Sequence, residues 1–338
     1  MRRASVAVVG AGSWGTTIAS LIGRRASANL WARSPSLAAT IAETRQNARY
    51  LPGITVPDTV RVTSDIEDAM AEVGLVLVAV PSHGFRAVLE AMAPYVETGM
   101  PVVSLAKGLE PGTDVRMTEI IAEIAPRASY GVLTGPNLAQ EVAEGRPAAA
   151  VVAARDREVA RCVQELLHSS SYRVYTSSDV IGCEIAGAAK NVTAIAAGMS
   201  DGAGLGENTR AALITRGLAE LVRIGMALGA DPMTFSGLAG VGDLVATCTS
   251  PRSRNRSVGV ELGRGRRLAD VLLGMRMVAE GVQTAAPLLR LAERHGVEMP
   301  IVQQVAAIVS GATSVSKALA ALMERPARPE VDERLRTR

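Results

Sequence analysis

The chain has 338 residues, 48% of them hydrophobic and 20% charged, with a formal net charge of +3. That length suggests two domains of about 100–200 residues each, and the small net charge, without any basic, aromatic-interleaved stretch, excludes a nucleic-acid binder. Three cysteines, Cys162, Cys183 and Cys248, lack C-x-x-C spacing, so no zinc or other metal site is expected and a reducing cytoplasm is.

The opening Met1-Arg2-Arg3 and the apolar run after it have the outline of a secretory leader. The run is short and breaks at Gly10 and Gly12, so residues 5–9 are read as a first strand. Further strands are expected at 29–31, 60–62, 75–80, 102–104 and 130–133, with 148–153 and 172–175 as additions. Between them helices are expected at 16–24, 35–45, 85–92, 115–124 and 158–167. Continuous Val/Leu strands separated by helices imply a mostly parallel sheet covered on both faces. From residue 179 the strand signal is lost. Helices are expected at 180–197, 209–228, 240–247, 268–273, 283–295, 302–309 and 315–323. No apolar stretch is read as approaching the roughly 18 residues of a membrane span. The fold class is therefore α/β followed by all-α: a domain over 1–178, a helical domain over 179–325, and a polar, Pro-broken, frayed tail over 326–338.

The first strand runs into Gly10-Ala-Gly12-Ser13-Trp14-Gly15 and then a helix, which is G-x-G-x-x-G in the context it requires. Gly10 permits the tight turn, Gly12 the approach of a pyrophosphate, and Gly15 close helix–strand packing. The helix N-terminus adds unpaired N–H groups and a dipole that favours an anion. Glycines also mark ordinary turns, but the flanking elements favour a Rossmann-type dinucleotide site. The next strand leads to Arg33, where an acid that grips a ribose 2′-hydroxyl is expected for NAD. A guanidinium suits a 2′-phosphate, so NADPH is favoured over NADH, with a solvated loop arginine as the other reading. Tyr50 faces the adenosine end or is an ordinary packing residue. Taken at the carboxyl ends of strands, the rim comprises the glycine loop, Arg33, Pro81-Ser82-His83, Lys107-Gly108 and Gly135-Pro136-Asn137. His83 is left as a solvated loop residue.

Of 36 Lys and Arg residues only three are Lys: Lys107, Lys190 and Lys317. Two lie in apolar, glycine-marked segments, Ser104-Leu-Ala-Lys107-Gly108 and Gly187-Ala-Ala-Lys190-Asn191. Lys gives up a proton on burial and Arg does not, so these positions suggest proton chemistry; a Lys snorkelling to water is the bland alternative. Around Lys190 the helix is apolar, and such a Lys must be neutralised, paired or aimed at something polar. Asp243 in Gly240-Val-Gly-Asp243 is a candidate partner. Ser250-Pro-Arg-Ser253-Arg254-Asn255-Arg256 offers a phosphate clamp or a plain polar loop. Val278-Ala-Glu280-Gly281 places a carboxylate beside a turn.

In this order the blocks resemble the bacterial type of NAD(P)-dependent glycerol-3-phosphate dehydrogenase. Those that match are Gly10–Gly15, Leu51-Pro52-Gly53, Val80-Pro-Ser82, Lys107-Gly108-Leu109, Gly135-Pro136, Lys190-Asn191, Gly242-Asp243-Leu244 through Thr247-Cys248, Ser253-Arg254-Asn255 and Glu280-Gly281, spanning residues 5 to 325. The resemblance implies interconversion of dihydroxyacetone phosphate and sn-glycerol 3-phosphate with NADPH or NADH. It implies Lys190 as proton donor to the ketone oxygen and Lys107 in contact with substrate and nicotinamide. Asp243, Ser253, Arg254 and Asn255 would hold substrate, Arg254 also lying near the cofactor. Ser13, Trp14, Arg33, Tyr50, Ala139, Val278 and Glu280 would contact cofactor, and Gly135 and Asn137 would line the substrate side. Many relatives carry Ser at the position of Asn137, which leaves its side-chain contact open. The resemblance further implies a cytoplasmic homodimer, joined through the helical domain, that feeds glycerophospholipid synthesis. Rival dehydrogenases of the β-hydroxyacid or 6-phosphogluconate type carry Lys-x-x-x-Asn on the corresponding helix. Here the fourth residue after Lys190 is Ala194, which argues against them. A non-catalytic NADPH-binding protein would need no convergent Lys190, Asp243 and Arg254.

Overall fold

The computed structural model describes residues 5–275, 278–327 and 329–330. Its strands are β1 (Ser5–Val9), β2 (Ala28–Trp31), β3 (Gln46–Asn47), β4 (Leu51–Thr55), β5 (Val60–Thr63), β6 (Val73–Val78), β7 (Pro101–Ser104), β8 (Ser129–Thr134), β9 (Ala148–Ala154) and β10 (Tyr172–Ser177). The helices of the first half are α1 (Ser13–Gly23), α2 (Pro35–Thr44), α3 (Ile66–Met70), α4 (Phe85–Met92), α5 (Met117–Ile124), α6 (Ala139–Ala143) and α7 (Arg157–Leu167). After these come α8 (Val180–Gly202), α9 (Glu207–Ala227), α10 (Asp243–Thr249), α11 (Arg254–Gly263), α12 (Leu268–Leu273), α13 (Glu280–Arg294), α14 (Pro300–Val309) and α15 (Val315–Met323).

Eight strands form one sheet in the order β10-β9-β8-β7-β6-β1-β2-β5. Every neighbouring pair is parallel except β8 and β9, where Val132 faces Ala153 in antiparallel register. The two additional strands therefore run opposite to the other six. Side chains of β1 alternate: Val6 and Val8 pack with Ile18 and Ile22 of α1, and Ala7 and Val9 with Phe85 and Leu89 of α4. That is the period of two expected of a strand covered on both faces. From β1 the chain winds outward to β5, then resumes on the other side of β1 at β6. This reversal opens a crevice beyond the carboxyl ends of β1 and β6, where ligands bind in open α/β sheets.

In the second half α8 is the central helix. It corrects the expectation about membrane length: its 23 residues are long and apolar enough to cross a bilayer by length and composition, but 94% of the apolar window is buried in the fold. Gly, Ala and Ser dominate its surface, and that smallness lets α11 pack almost backbone to backbone. A Cβ on Gly198 would lie 2.1 Å from the Arg256 carbonyl oxygen, and one on Gly259 2.1 Å from that of Ile195. Gly202 and Gly263 extend the seam one turn on. The contact brings the N-terminus of α11 alongside the middle of α8, and so next to Lys190.

Glu184, the other charge within the buried stretch of α8, accepts from Arg116 Nη1 (2.8 Å), Thr118 N (2.9 Å) and Thr118 Oγ1 (2.5 Å). It satisfies an orphan N–H in the first turn of α5 and ties the helical half to the sheet. Burial raises its pKa against the pull of Arg116.

Several elements were not expected: the β3–β4 hairpin, α3, α6 and α11. The helix expected at 240–247 begins at Asp243, after a π-helical turn over Leu238–Gly242 that is kinked at Gly240. The Met1-Arg2-Arg3 start lies outside the described residues. So does the tail expected over 326–338, apart from 326, 327, 329 and 330.

Candidate active site

The glycine loop has the geometry its sequence demands. Gly10 adopts φ +119°, and a Cβ there would meet the Ala79 carbonyl oxygen at 2.7 Å. A Cβ on Gly15 would fall 1.8 Å from the Gly10 carbonyl oxygen, whereas at Gly12 nothing lies within 4 Å. The first two glycines are thus required by the fold, and the third faces open space where a ligand backbone can approach. α1 starts at Ser13 with no side-chain cap and no acid in its first turn, which leaves its N–H groups free for an anion. Asn47, fully buried on β3, donates to Ala11 O (2.9 Å) and Thr16 Oγ1 (2.8 Å) and pins the loop from below. Nothing in the sequence singled out Asn47, because its partners lie about thirty residues away.

The other expected cofactor contacts surround this loop. Trp14 is half-buried, edge-on to Tyr172 at 6.4 Å between centroids. Thr17 Oγ1 lies 3.1 Å from Ala139 O, which joins α6 to α1. Arg33 is exposed beyond β2. Tyr50 is half-buried beneath the Arg49 guanidinium, 5.2 Å from its ring centroid. Arg254 Nη1 donates to Val278 O (2.9 Å), and Glu280 Oε1 accepts from Ser82 N (3.4 Å). Residues 254, 278 and 280 thus close onto the loop that follows β6.

Lys107, Lys190 and Asp243 meet. Lys107 Nζ donates to Asp243 Oδ2 (2.7 Å) and to Gly135 O (2.7 Å). Lys190 Nζ donates to Asp243 Oδ1 (2.6 Å) and to Thr247 Oγ1 (2.7 Å). The carboxylate is 2% exposed and lies between two ammonium groups, one from the sheet's rim and one from α8. Burial lowers the Lys190 pKa to about 8, with Asp243 opposing and Lys107 assisting. Burial works to raise Asp243, but the two lysines hold it below the usual carboxylate range. Cys248 lies next to this cluster, and burial pushes its thiol up to about 12, so it is inert as a nucleophile.

A relay of amides supports the lysines. Asn191 Nδ2 donates to Lys107 O (2.8 Å), Asn255 Nδ2 to Asn191 Oδ1 (2.9 Å), and Gly281 N to Asn255 Oδ1 (2.9 Å). The Ser253–Arg256 cluster is not a loop. Ser253 is the N-cap of α11, its Oγ accepting from Arg256 N (3.3 Å). Of the wider clamp that was expected, Arg252 turns to Glu141 and Arg256 to Asp201, while Arg254 reaches Val278 O and Asn255 uses both ends of its amide in the relay. Gly135 holds φ +129°, and Asn137 Oδ1 accepts from Tyr172 Oη (3.0 Å). Thr247 and Asn191 stand in matched blocks but were given no role by sequence reasoning, and Asn47 and Tyr172 were not singled out at all. All four are neutral side chains whose importance comes from a distant partner.

A Rossmann-type glycine loop facing a buried lysine–carboxylate–lysine cluster defines a nicotinamide-dinucleotide dehydrogenase that handles a proton as well as a hydride. Residues 5–160 match the model for the N-terminus of NAD-dependent glycerol-3-phosphate dehydrogenase, and residues 179–320 match the model for its C-terminus. The chain belongs to this family. It is 50% identical over 309 residues to glycerol-3-phosphate dehydrogenase [NAD(P)+] 2 of Sphingopyxis alaskensis, covering 91% of this chain and 93% of that one. It is 49% identical over 327 residues to the Streptomyces griseus glycerol-3-phosphate dehydrogenase [NAD(P)+], covering 96% and 97%. The crystal structure of glycerol-3-phosphate dehydrogenase from Coxiella burnetii superimposes with a TM-score of 0.93 at 35% identity, covering 96% of this chain and all of that one.

Proposed function

We propose that the protein catalyses the reversible reduction of dihydroxyacetone phosphate to sn-glycerol 3-phosphate with NADPH or NADH, NADPH favoured, and so supplies the backbone for glycerophospholipid synthesis. The observation that carries this reading is the Asp243 carboxylate bridging Lys107 and Lys190 at the rim of the dinucleotide crevice. When bound, the nicotinamide dinucleotide supplies the hydride. The open face at Gly12 and the uncapped start of α1 fit its pyrophosphate. In this reading Gly12, Ser13 and Trp14 face the pyrophosphate on the turn that Gly10 and Gly15 make possible, and Arg33 and Tyr50 hold the adenosine end. Lys107 reaches the nicotinamide end, and Ala139, Arg254, Val278 and Glu280 contact the cofactor.

Lys190 is the general acid. As negative charge builds on the ketone oxygen, its ammonium stabilises that charge and then transfers the proton; in the reverse direction the neutral amine takes the proton from the alcohol. A pKa of about 8 suits both tasks near neutrality. Asp243 keeps Lys190 charged and orients it, and Lys107 adds positive charge to the same region. Ser253, Arg254 and Asn255 hold the substrate phosphate, while Gly135 and Asn137 line its other side.

The test is loss of NADPH absorbance with dihydroxyacetone phosphate, repeated with NADH and with unphosphorylated dihydroxyacetone. Turnover is expected with the phosphate ester and a much lower kcat/KM without it, because remote binding energy is used at the reacting centre. Equal kcat/KM for the two ketones would remove the phosphate clamp from the reading. We also read the chain as two domains, 1–178 and 179–325, acting as a cytoplasmic homodimer through the helical one. Light scattering in solution checks the dimer.

A further inference from the structure

Tyr172 is assigned no role by the chemistry described so far, although it is among the largest fully buried side chains of the described residues, at 1% exposure on β10. A buried tyrosine needs a partner for its hydroxyl. Here that partner is Asn137 Oδ1, at 3.0 Å. Burial raises the Tyr172 pKa, and the Asp243 charge adds to the effect. The phenol therefore stays protonated, and in this structure it donates to the amide oxygen, so the oxygen of Asn137 faces Tyr172 and the nitrogen faces away. Asn137 Nδ2 is shielded from solvent and has no hydrogen-bond partner among the described residues. It lies beside Gly135, 3.4 Å from where a Cβ of that residue would stand, and the Gly135 carbonyl accepts from Lys107 Nζ. An unmet donor thus stands next to the lysine–carboxylate cluster, and one phenol sets its direction. The Tyr172 ring also packs edge-on against Trp14 of the glycine loop.

We infer that Tyr172 is a positioning residue for substrate selection. It orients the Asn137 amide so that Nδ2 donates to an oxygen of the phosphorylated ketone, and it couples that donor to the cofactor loop through Trp14. The inference rests on the reading of Asn137 as lining the substrate side. Unmet buried donors are rare in native proteins and collect where a ligand completes the bonding. Without the phenol, the amide is free to turn its oxygen towards an oxygen-rich substrate, which repels it.

The experiment compares wild type, Tyr172→Phe, Asn137→Ala and the double variant. KM and kcat are measured for dihydroxyacetone phosphate, NADPH affinity by fluorescence titration, and Tm as a check of folding. Tyr172→Phe keeps the ring and its contact with Trp14. It is expected to raise KM roughly five- to tenfold, the factor one misdirected hydrogen bond is worth, with a smaller change in kcat and the same NADPH affinity. In the Asn137→Ala background the same change is expected to have little effect on KM, because Tyr172 acts through Asn137. If Asn137→Ala leaves KM unchanged, the placement of Asn137 on the substrate side is wrong and the inference falls with it. If Asn137→Ala raises KM but Tyr172→Phe does not, only the positioning role fails. Equal losses of NADPH affinity and substrate KM in Tyr172→Phe, or a full effect that persists in the double variant, mark Tyr172 as a general packing residue and overturn the inference.

Discussion

Replacing Asp243 by Asn tests whether its charge, not its shape, sustains the chemistry. The carboxylate contacts both ammonium groups, at 2.6 and 2.7 Å. A pair of opposite charges about 4 Å apart at an effective dielectric of about 20 interacts by about 4 kcal/mol, or about three pKa units. Lys190 is the more enclosed of the two lysines, its side chain 6% exposed against 15% for Lys107, and burial already lowers its pKa. From about 8, its pKa is expected to fall towards roughly 5, which leaves about one molecule in a hundred protonated at neutral pH. Reduction needs the ammonium, so kcat/KM for dihydroxyacetone phosphate at pH 7 is expected to drop on the order of a hundredfold. The pH profile provides the sharper assay. Wild-type kcat/KM falls as pH rises through about 8, whereas in Asp243→Asn the fall begins well below neutrality and acidification recovers part of the rate. A variant within about threefold of wild type at pH 7, or one that keeps the wild-type inflection, refutes the argument that Asp243 holds the proton on Lys190.

Lys190→Met is expected to cut kcat by at least the ~10²–10⁴ due to positioned proton transfer, with NADPH still bound; Lys190→Arg is expected to fail too, since a guanidinium keeps its proton. An Arg variant with most of its turnover intact shows that charge alone suffices. Arg33→Asp is expected to weaken NADPH more than NADH by removing a charge-assisted contact and adding repulsion; titration of both cofactors checks it, and an unchanged preference makes Arg33 a solvated loop residue. Glu220, buried on α9, accepts from Ile301 N and Val302 N at the start of α14, yet burial raises its pKa to about 7. Because the folded pKa lies above the unfolded one, the stability linked to its proton is full below about pH 4.5 and is lost as pH rises through about 7. Relative to wild type, Glu220→Gln is therefore expected to gain up to about 3 kcal/mol of stability between pH 5 and pH 8, on top of a pH-independent cost for the Nε2 that replaces one accepting oxygen; a Tm difference that does not depend on pH contradicts it.

The lysine positions explain both how far the sequence could be read and where that reading stopped. A chain that meets nearly every basic position with Arg keeps Lys at 107 and 190, and the fold brings these onto one carboxylate from points 136 and 53 residues away. The glycine fingerprint was legible because its constraints are local: a positive φ, a close helix and an open face all fall within six residues. Asp243 was legible because a Lys in an apolar helix needs an opposite charge. Thr247 was not, although it binds Lys190 as closely as Asp243 does, because a neutral hydroxyl carries no such obligation in the sequence. Asn47, Asn191 and Tyr172 were hidden for the same reason. No helix was expected at the start of α11, because its Ser-Arg-Asn-Arg run has no apolar periodicity of its own; Gly259 and Gly263 fit it to the small-residue surface of α8. The third lysine, Lys317, is exposed in the first turn of α15, so an occasional surface Lys does occur in this chain. At 107 and 190 a guanidinium would meet a carboxylate enclosed on both sides, and in the proposed mechanism the group at 190 also has to release a proton. The shared carboxylate accounts for the two lysines that meet on it.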